Sequence, residues 1–207
     1  MLYFIVIILY EAMTANPSIL RIAWQRYLHQ LNKRPLRTKA LTAAGIAAIS
    51  DVIAQRILTG GYRSGRRTLA VALYGLLYTG PAAHYWQKFV QWAFCTCGKG
   101  SNCNCSSDAM TVFKKVVVDQ VTYGPVCNVL FLCFTGLVLE DRPWSDIGTK
   151  VFRNYPAVQL NAWRLWPLAS LINFKFVPIK FRVLFLNLVA LVWSTFLLMR
   201  ARVQRPA

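Results

Sequence analysis

Four apolar stretches bordered by basic residues are the feature that most constrains this chain. They cover residues 40–58, 68–94, 116–139 and 183–199. A helix needs about 17–25 mainly apolar residues to cross a bilayer, and Lys and Arg collect near the ends of such helices. The pattern therefore predicts an all-α polytopic integral membrane protein, with a bundle of about four transmembrane helices and an N-terminal amphipathic helix.

The composition excludes two other classes of protein. Hydrophobic residues make up 56% of the chain and charged residues only 15%. A disordered chain contains far fewer apolar residues, and a soluble domain carries about 25% charged residues. The net charge of +17 is divided among clusters beside apolar stretches, which suits anionic lipid headgroups better than nucleic acid. We expect the lipid bilayer as a partner and no direct nucleic-acid binding.

The chain divides by composition into four regions. They are an apolar extension at 1–17, a basic amphipathic segment at 18–39, a single four-helix membrane domain at 40–199 with a cysteine-rich loop at 95–107, and a basic tail at 200–207. The segment at 18–39 is basic and contains no acidic residue, so it fits a helix on the membrane surface, an Arg-rich transit signal or a juxtamembrane anchor.

Polar residues inside the apolar stretches are the candidates for a functional site. They are Asp51, Gln55, His84, Asp119, Gln120 and, near the interface, Arg182. Ionisable groups within a membrane span are costly and mark a solute pathway or a polar core. Asp51 and Gln55 continue the four-residue spacing of Ala43 and Ala47, which predicts one protein-facing stripe. A solute path and simple hydrogen bonding between helices both remain open.

Glycine and proline pairs predict bends in the helices. The residues concerned are Gly80, Pro81, Gly124, Pro125 and Pro178. Transmembrane helices tolerate such residues when neighbours satisfy the freed carbonyls. In the tail, Pro167 and Pro178 break an aromatic segment, so we expect one crossing, at 183–199. The polar connector at 140–153 should lie in water, and four crossings would put both termini on one side.

The cysteines give no clear metal site. Cys95, Cys97, Cys103 and Cys105 form two C-x-C pairs, whereas zinc sites usually have C-x₂₋₄-C spacing. Loop disulfides and free thiols are the other possibilities, and Cys127 and Cys133 are expected to be small buried apolar residues. We find no motif of a nucleophilic, phosphate-binding or zinc-dependent enzyme. No metal, cofactor or enzymatic activity is therefore predicted.

The tail carries an ordered set of rare residues that resembles a known family. The set comprises Arg153, Tyr155-Pro156, Trp166-Pro167, Asn173-Phe174, Val177-Pro178, Arg182 and Trp193. It is similar to the family of the Mpv-seventeen protein and the twenty-two-kilodalton peroxisomal membrane protein. Upstream residues agree, namely Trp24, Tyr27, Leu28, Pro35, Asp51, Gln55, Gly80-Pro81, His84, Trp86, Asp119-Gln120 and Pro125. The extension at 1–17 and the cysteine-rich loop depart from the family pattern.

The resemblance implies a four-helix protein of the mitochondrial inner membrane or the peroxisomal membrane. It also implies a weakly selective channel for small solutes or metabolites, linked to mitochondrial metabolite and DNA homeostasis. A non-conducting scaffold is the alternative, and a membrane-embedded enzyme is a third possibility. The basic segment favours mitochondria, and a homo-oligomer is possible. The tryptophans Trp144, Trp163, Trp166 and Trp193 are expected in an interfacial belt.

Overall fold

A computed structural model describes residues 17–59, 64–94 and 109–203. These residues form helices and no strand, as the sequence predicts. The helices are α1 (Pro17–Lys33), α2 (Pro35–Thr59), α3 (Gly65–Tyr74, Gly75–Thr79 and Gly80–Ala93), α4 (Ala109–Leu139), α5 (Trp144–Phe176) and α6 (Arg182–Val203). Most of the predicted apolar extension, the cysteine-rich loop and the end of the basic tail lie outside the described residues.

The chain divides into two compact units, residues 1–38 and 39–207. In the first unit, Leu31 of α1 is buried, whereas Ile22 and Trp24 are half exposed. Trp24 stacks on Tyr27 with 5.6 Å between ring centroids.

Small residues bring α2 and α3 into close contact. Ala40 and Ala43 are buried, and a Cβ atom added to Gly80 would lie 2.6 Å from the Cα atom of Ala40. A Cβ atom on Gly75 would lie 3.0 Å from the carbonyl oxygen of Ala43. The two backbones therefore touch where glycine faces alanine, which is how membrane helices commonly associate.

Each Gly-Pro pair directly follows a π-helical turn. The turns are Gly75–Thr79 in α3 and Asp119–Tyr123 in α4, and each ends with an N–H donated five residues back, from Gly80 or Gly124. A proline ring inside an α-helix clashes with the carbonyl four residues before it. A wide turn relieves this clash, so both helices continue through the proline. The distortion lies where the sequence predicts a bend.

Successive helices of the second unit run antiparallel. Along α4 and α5, side-chain hydrogen bonds join Asp119 to Ser170, Asn128 to Gln159 and Thr135 to Lys150. The partner numbers fall as the α4 numbers rise, so α5 lies beside α4 over almost the full length of α4. Trp86 to Asp119 and Tyr78 to Cys127 mark the same antiparallel register for α3 and α4.

The last helix runs parallel to α2. Lys39 Nζ donates to the carbonyl oxygen of Ile179 at 3.3 Å, and the hydroxyls of Ser50 and Ser194 lie 3.0 Å apart. The residue numbers rise together from the first contact to the second, so the two helices run in the same direction.

The tail contains two helices, which corrects three expectations. α5 begins at Trp144, so only residues 140–143 connect it to α4. It continues through Pro156 and Pro167, and neither proline breaks it. Pro178 separates α5 from α6 instead of bending one helix, because Val177 before it is extended, with φ −93° and ψ 121°, as residues before proline prefer.

The α4–α5 connection is fixed by a small charge cluster. Glu140 accepts hydrogen bonds from Lys150 Nζ at 2.7 Å and Arg142 Nε at 2.6 Å. These bonds, that of Lys150 above all, lower the pKa of the Glu140 carboxyl below its usual range.

The longest apolar helices are exposed and not buried. Among the described residues, Pro35–Leu58 and Ala109–Leu139 are long and apolar enough to cross a membrane, and Arg182–Thr195 is a shorter apolar helix. Only 22% and 11% of the most apolar windows of the two long helices are buried. The core helix of a soluble protein would be mostly buried, so these faces suit lipid.

Candidate functional site

A cavity of about 260 Å³ lies among α3, α4, α5 and α6. Its walls are mainly aromatic and aliphatic. Polar side chains of all four helices also reach it, namely Thr79, Asp119, Gln120, Asn128, Gln159, Ser170 and Asn187. An apolar pocket with a few convergent polar groups is the usual form of a small-molecule site.

Asp119 is the charged residue of this cavity wall. Its Oδ1 accepts from Trp86 Nε1 at 2.8 Å, and its Oδ2 accepts from Ser170 Oγ at 2.7 Å and Gln120 Nε2 at 3.2 Å. The indole of Trp86 is held by stacking on Tyr123, with 5.0 Å between centroids. In the part of the chain that the structure describes, Asp119 has no basic partner. Its donors are neutral, so the carboxylate keeps its attraction for a cation.

A second polar pair lies further along the same cavity. Asn128 Nδ2 donates to Gln159 Oε1 at 2.8 Å, and Tyr78 and Cys127 make a hydroxyl–thiol contact of 3.7 Å. The side chains of Asn128 and Gln159 each carry a donor group and an acceptor group, which suits a polar solute.

Asp51 and Gln55 belong to a separate cluster between α2 and α3. Asp51 accepts from Arg67 Nε at 2.9 Å, Thr68 Oγ1 at 2.8 Å and Gln55 Nε2 at 2.6 Å. Gln55 Oε1 accepts the backbone N–H of Ser64, which also caps α3. Every carboxylate oxygen is used, so this cluster is built to join two helices.

His84 and Arg182 lie apart from both groups. His84 is buried with no partner for its Nδ1. Arg182 donates to Gln91 Oε1 at 3.1 Å and to the carbonyl oxygens of Val177 and Phe174 at 3.0 and 3.4 Å.

The predicted polar path is therefore divided among three places. Of the six polar candidates, the cavity receives Asp119 and Gln120 alone. Ser170, Asn128, Gln159 and Asn187 were not predicted. Gln159 and Ser170 follow helical spacing with Ala162 and Trp166, but that signal is visible only if α5 is read as one helix through its prolines.

The remaining sequence candidates are distributed along the same helices. Gly124 and the partly buried Trp166 line the cavity. Asn173 and Phe174 are buried in α5, and Trp193 is partly buried in α6.

No metal centre is found in the described ranges 17–59, 64–94 and 109–203, where no group of three or more His, Cys, Asp or Glu side chains could hold an ion. Cys127 and Cys133 are free and only partly buried, less so than predicted. The loop thiols from Cys95 to Cys105 lie outside these ranges.

Comparison with known proteins identifies the family. The model of the Mpv17 / PMP22 family matches residues 137–198. A protein of Arabidopsis thaliana named Peroxisomal membrane protein PMP22 is 39% identical over 178 residues, which cover 86% of this chain and 89% of that protein. Mitochondrial inner membrane protein Mpv17 of Danio rerio is 28% identical over 181 residues, covering 86% of this chain and 96% of its own.

A third relative, Peroxisomal membrane protein 2 of Bos taurus, is 28% identical over 186 residues, covering 86% of this chain and 88% of its own. No solved structure matches the chain significantly. The residues matched by the family model include the tail motif from Arg153 to Trp193. With the family model matching its C-terminal part and a relative 39% identical along most of its length, the chain belongs to the Mpv17 / PMP22 family.

Proposed function

We propose that this protein is an organellar membrane channel that passes small polar solutes with weak selectivity. The observation that carries the proposal is the cavity of about 260 Å³ among α3 to α6, whose lining includes the polar side chains of Asp119, Gln120, Asn128, Gln159, Ser170 and Asn187. Polar groups inside membrane-spanning helices are costly unless they belong to a polar core or a solute path. The volume suits a small solute better than a folded partner segment.

The helix register supports five crossings in place of the four predicted. α4 is 31 residues long and apolar enough to cross a membrane. α5 lies beside it from Lys150 to Ser170, so a bilayer that contains α4 also contains α5. At about 1.5 Å per residue, α5 is long enough to cross. With α2, α3 and α6, the bundle then crosses five times. α2 and α6 would start from the same side.

The outer face of α5 supports a homo-oligomer. Arg164 is exposed and hydrogen-bonded to Asn161 Oδ1 at 3.2 Å, and it lies between the contacts of Gln159 and Ser170 with α4. A charge at that depth is costly against lipid. A second copy covering this face, or a water-filled space between copies, would remove that cost.

The location is proposed as a peroxisomal or mitochondrial inner membrane. The sequence alone favours mitochondria. The higher identity to a relative named as peroxisomal, 39% against 28% for the mitochondrial one, favours the peroxisome. Imaging of a tagged protein beside markers of both organelles distinguishes the two.

The second candidate function is a non-conducting scaffold. The Asp51 cluster favours it, because its hydrogen bonds serve the contact between helices and leave no group for a solute. In this alternative the cavity would be filled by lipid or water and would carry no flux. Neither candidate assigns catalytic chemistry to the protein.

Flux measurements on matched glycine variants distinguish a channel from a scaffold. Gly124→Leu places a side chain in the cavity, where the nearest atom to an added Cβ is 3.6 Å away. Gly45→Leu makes the same change on an exposed face with nothing within 4 Å. In liposomes, we expect solute flux with the unchanged protein and with Gly45→Leu, and a strong reduction with Gly124→Leu. Equal flux for both variants would reject the cavity as the path, and no flux for the unchanged protein would reject the channel.

A further inference from the structure

Four cationic side chains lie near the end of α5 and the beginning of α6. This cation cluster consists of Lys39, Lys88, Lys115 and Arg182, one from each of four helices. Lys39, Lys115 and Arg182 are only 6%, 3% and 6% exposed, whereas Lys88 is exposed. Their charges act on one another: Arg182 and Lys88 on Lys39, and Arg182 on Lys115.

The geometry of the turn between α5 and α6 holds the cation cluster together. Lys39 donates to the carbonyl oxygen of Ile179 and Arg182 to that of Val177, so both contact this turn. The guanidinium of Arg182 also lies over the ring of Phe174, 5.3 Å from its centroid. Phe174 packs in a buried group with Val112 and Val116, which flank Lys115.

The cation cluster has no anionic partner in the part of the chain that the structure describes. The ion pairs there join Asp51 to Arg67 and Glu140 to Arg142 and Lys150. Arg182 donates to neutral acceptors, and the carbonyls at the end of α5 offset a fraction of one charge. The side chain of Lys115 makes no hydrogen bond to another described residue. Buried charges are costly without a counter-charge.

Unpartnered polar atoms occur on the same segments. They are Gln87 Oε1, His84 Nδ1 and both amide atoms of Asn173, in side chains that are 1%, 4% and 0% exposed. Asn173 directly precedes Phe174, and Gln87 lies one turn before Gln91, which accepts from Arg182. The Asn173 amide can donate to an anion, and the buried position excludes most water.

We propose that the cation cluster binds a phosphate group. Clustered lysine and arginine with a nearby amide donor match the charge and the oxygens of a phosphate better than those of a neutral solute. Basic pockets between transmembrane helices bind phospholipid headgroups, and a soluble phosphate presents the same chemistry. The inference is independent of solute flux through the cavity.

The test compares Lys115→Met with Lys114→Met in the full-length protein. Methionine keeps the apolar stem and removes the charge, and the neighbouring Lys114 is exposed and serves as the matched control. One arm titrates inorganic phosphate into protein in neutral detergent. The other arm compares nanodiscs of phosphatidylcholine with and without phosphatidic acid. Thermal stabilisation is the readout in both.

We expect stabilisation of the unchanged protein in at least one arm, and about tenfold weaker binding for Lys115→Met, with Lys114→Met unaltered. A response to phosphatidic acid alone identifies a lipid headgroup, and a response to inorganic phosphate identifies a soluble ligand. Without either probe, Lys115→Met should melt at a higher temperature because it relieves repulsion. The absence of stabilisation in both arms, or equal loss in both variants, would overturn the proposal.

If Lys115→Met does not fold, a substitution of the exposed Lys88 provides a second test of the site. Lys88→Gln changes no buried side chain and should weaken binding of the same probe severalfold. Binding unaffected by Lys88→Gln and by Lys39→Met would place the phosphate elsewhere and reject the site.

Discussion

Asp51 and Asp119 are both buried carboxylates, but their hydrogen-bond partners indicate different roles. Asp51 is paired with Arg67 and accepts from two further side chains. Asp119 is bound by neutral donors and borders a cavity. A residue that is fully paired stabilises a helix contact, whereas an unpaired carboxylate can act on a solute. We therefore expect substitution of Asp51 to change the stability of the protein and substitution of Asp119 to change its ion selectivity.

Asp51→Leu should lower the stability of the protein. It removes the acceptor of Arg67, Thr68 and Gln55, and buried polar groups left without a partner cost about 1–3 kcal/mol each. Thermal unfolding in detergent measures the change, with the exposed Asp146→Leu as control. An unaltered melting temperature together with changed ion flux would assign Asp51 to the path and not to the helix contact.

Asp119→Asn should change selectivity and leave the fold intact. The hydroxyl of Ser170 and the amide of Gln120 can reverse their donor and acceptor roles to accommodate an amide. Loss of a unit charge about 10 Å from a permeating ion, at an effective dielectric of about 20, corresponds to roughly a tenfold fall in cation preference. Reversal potentials in planar bilayers measure it. If the cation-to-anion ratio stays constant, Asp119 does not line the path.

Glu140 gives the α4–α5 connection a dependence on pH. Because the pKa of this carboxyl is lowered in the folded protein, its contribution is complete above the ordinary value of 4.5 and is lost as the pH falls through the lower folded value. The group is partly exposed, so the effect should be less than about 1 kcal/mol. Melting curves of the unchanged protein and Glu140→Gln should differ at neutral pH and converge in acid. A constant difference would contradict this.

The sequence identified the buried charged residues, but it missed the cavity amides Asn128, Gln159 and Asn187 and could not show which candidates share a site. Burial of Asp51, Gln55, His84 and Asp119 follows from their positions inside apolar helices. Their partners come from other helices, such as Thr68 for Asp51 and Ser170 for Asp119, and no spacing along one helix contains that information.

Proline residues affect the helices of this protein in three different ways. In α3 and α4 a π-helical turn absorbs it, in α5 two prolines leave the helix continuous, and Pro178 ends α5. A single-sequence reading takes proline as a helix boundary, which is why the tail was expected to cross once. Inside a bundle, neighbouring helices satisfy the freed carbonyls.

The two Gly-Pro pairs should respond differently to alanine. Gly80→Ala forces a Cβ to within 2.6 Å of the Ala40 backbone, and overpacking of this kind costs about 1–3 kcal/mol. Gly124→Ala meets nothing closer than 3.6 Å and should stabilise the helix by about 0.5–1 kcal/mol. Thermal melts compare the pair, and an equal response would show that α2 moves away without cost.

The number of membrane crossings determines which turns between helices lie on the same side of the membrane. With five crossings, the α4–α5 turn and the α5–α6 turn face opposite sides. With a single tail crossing they face the same side. The exposed residues Asp141 and Lys180 mark the two turns.

Single cysteines at Asp141 and Lys180, in a background without the native thiols, should therefore react from opposite sides of sealed organelles. A membrane-impermeant maleimide, applied before and after permeabilisation, makes the measurement. Labelling of both Asp141→Cys and Lys180→Cys from one side would restore the four-helix arrangement.

The wide turn in α4 affects how related chains of different length should be aligned. Asp119 and Asn128 are nine residues apart, which is two and a half turns of a regular α-helix and would place them on opposite sides of a helical wheel. Both nevertheless line one cavity, because the turn Asp119–Tyr123 contains an extra residue. A related chain that is one residue shorter between Val118 and Gly124 should therefore present the same side chains inward, so a single-residue gap there in an alignment does not imply a rotated helix.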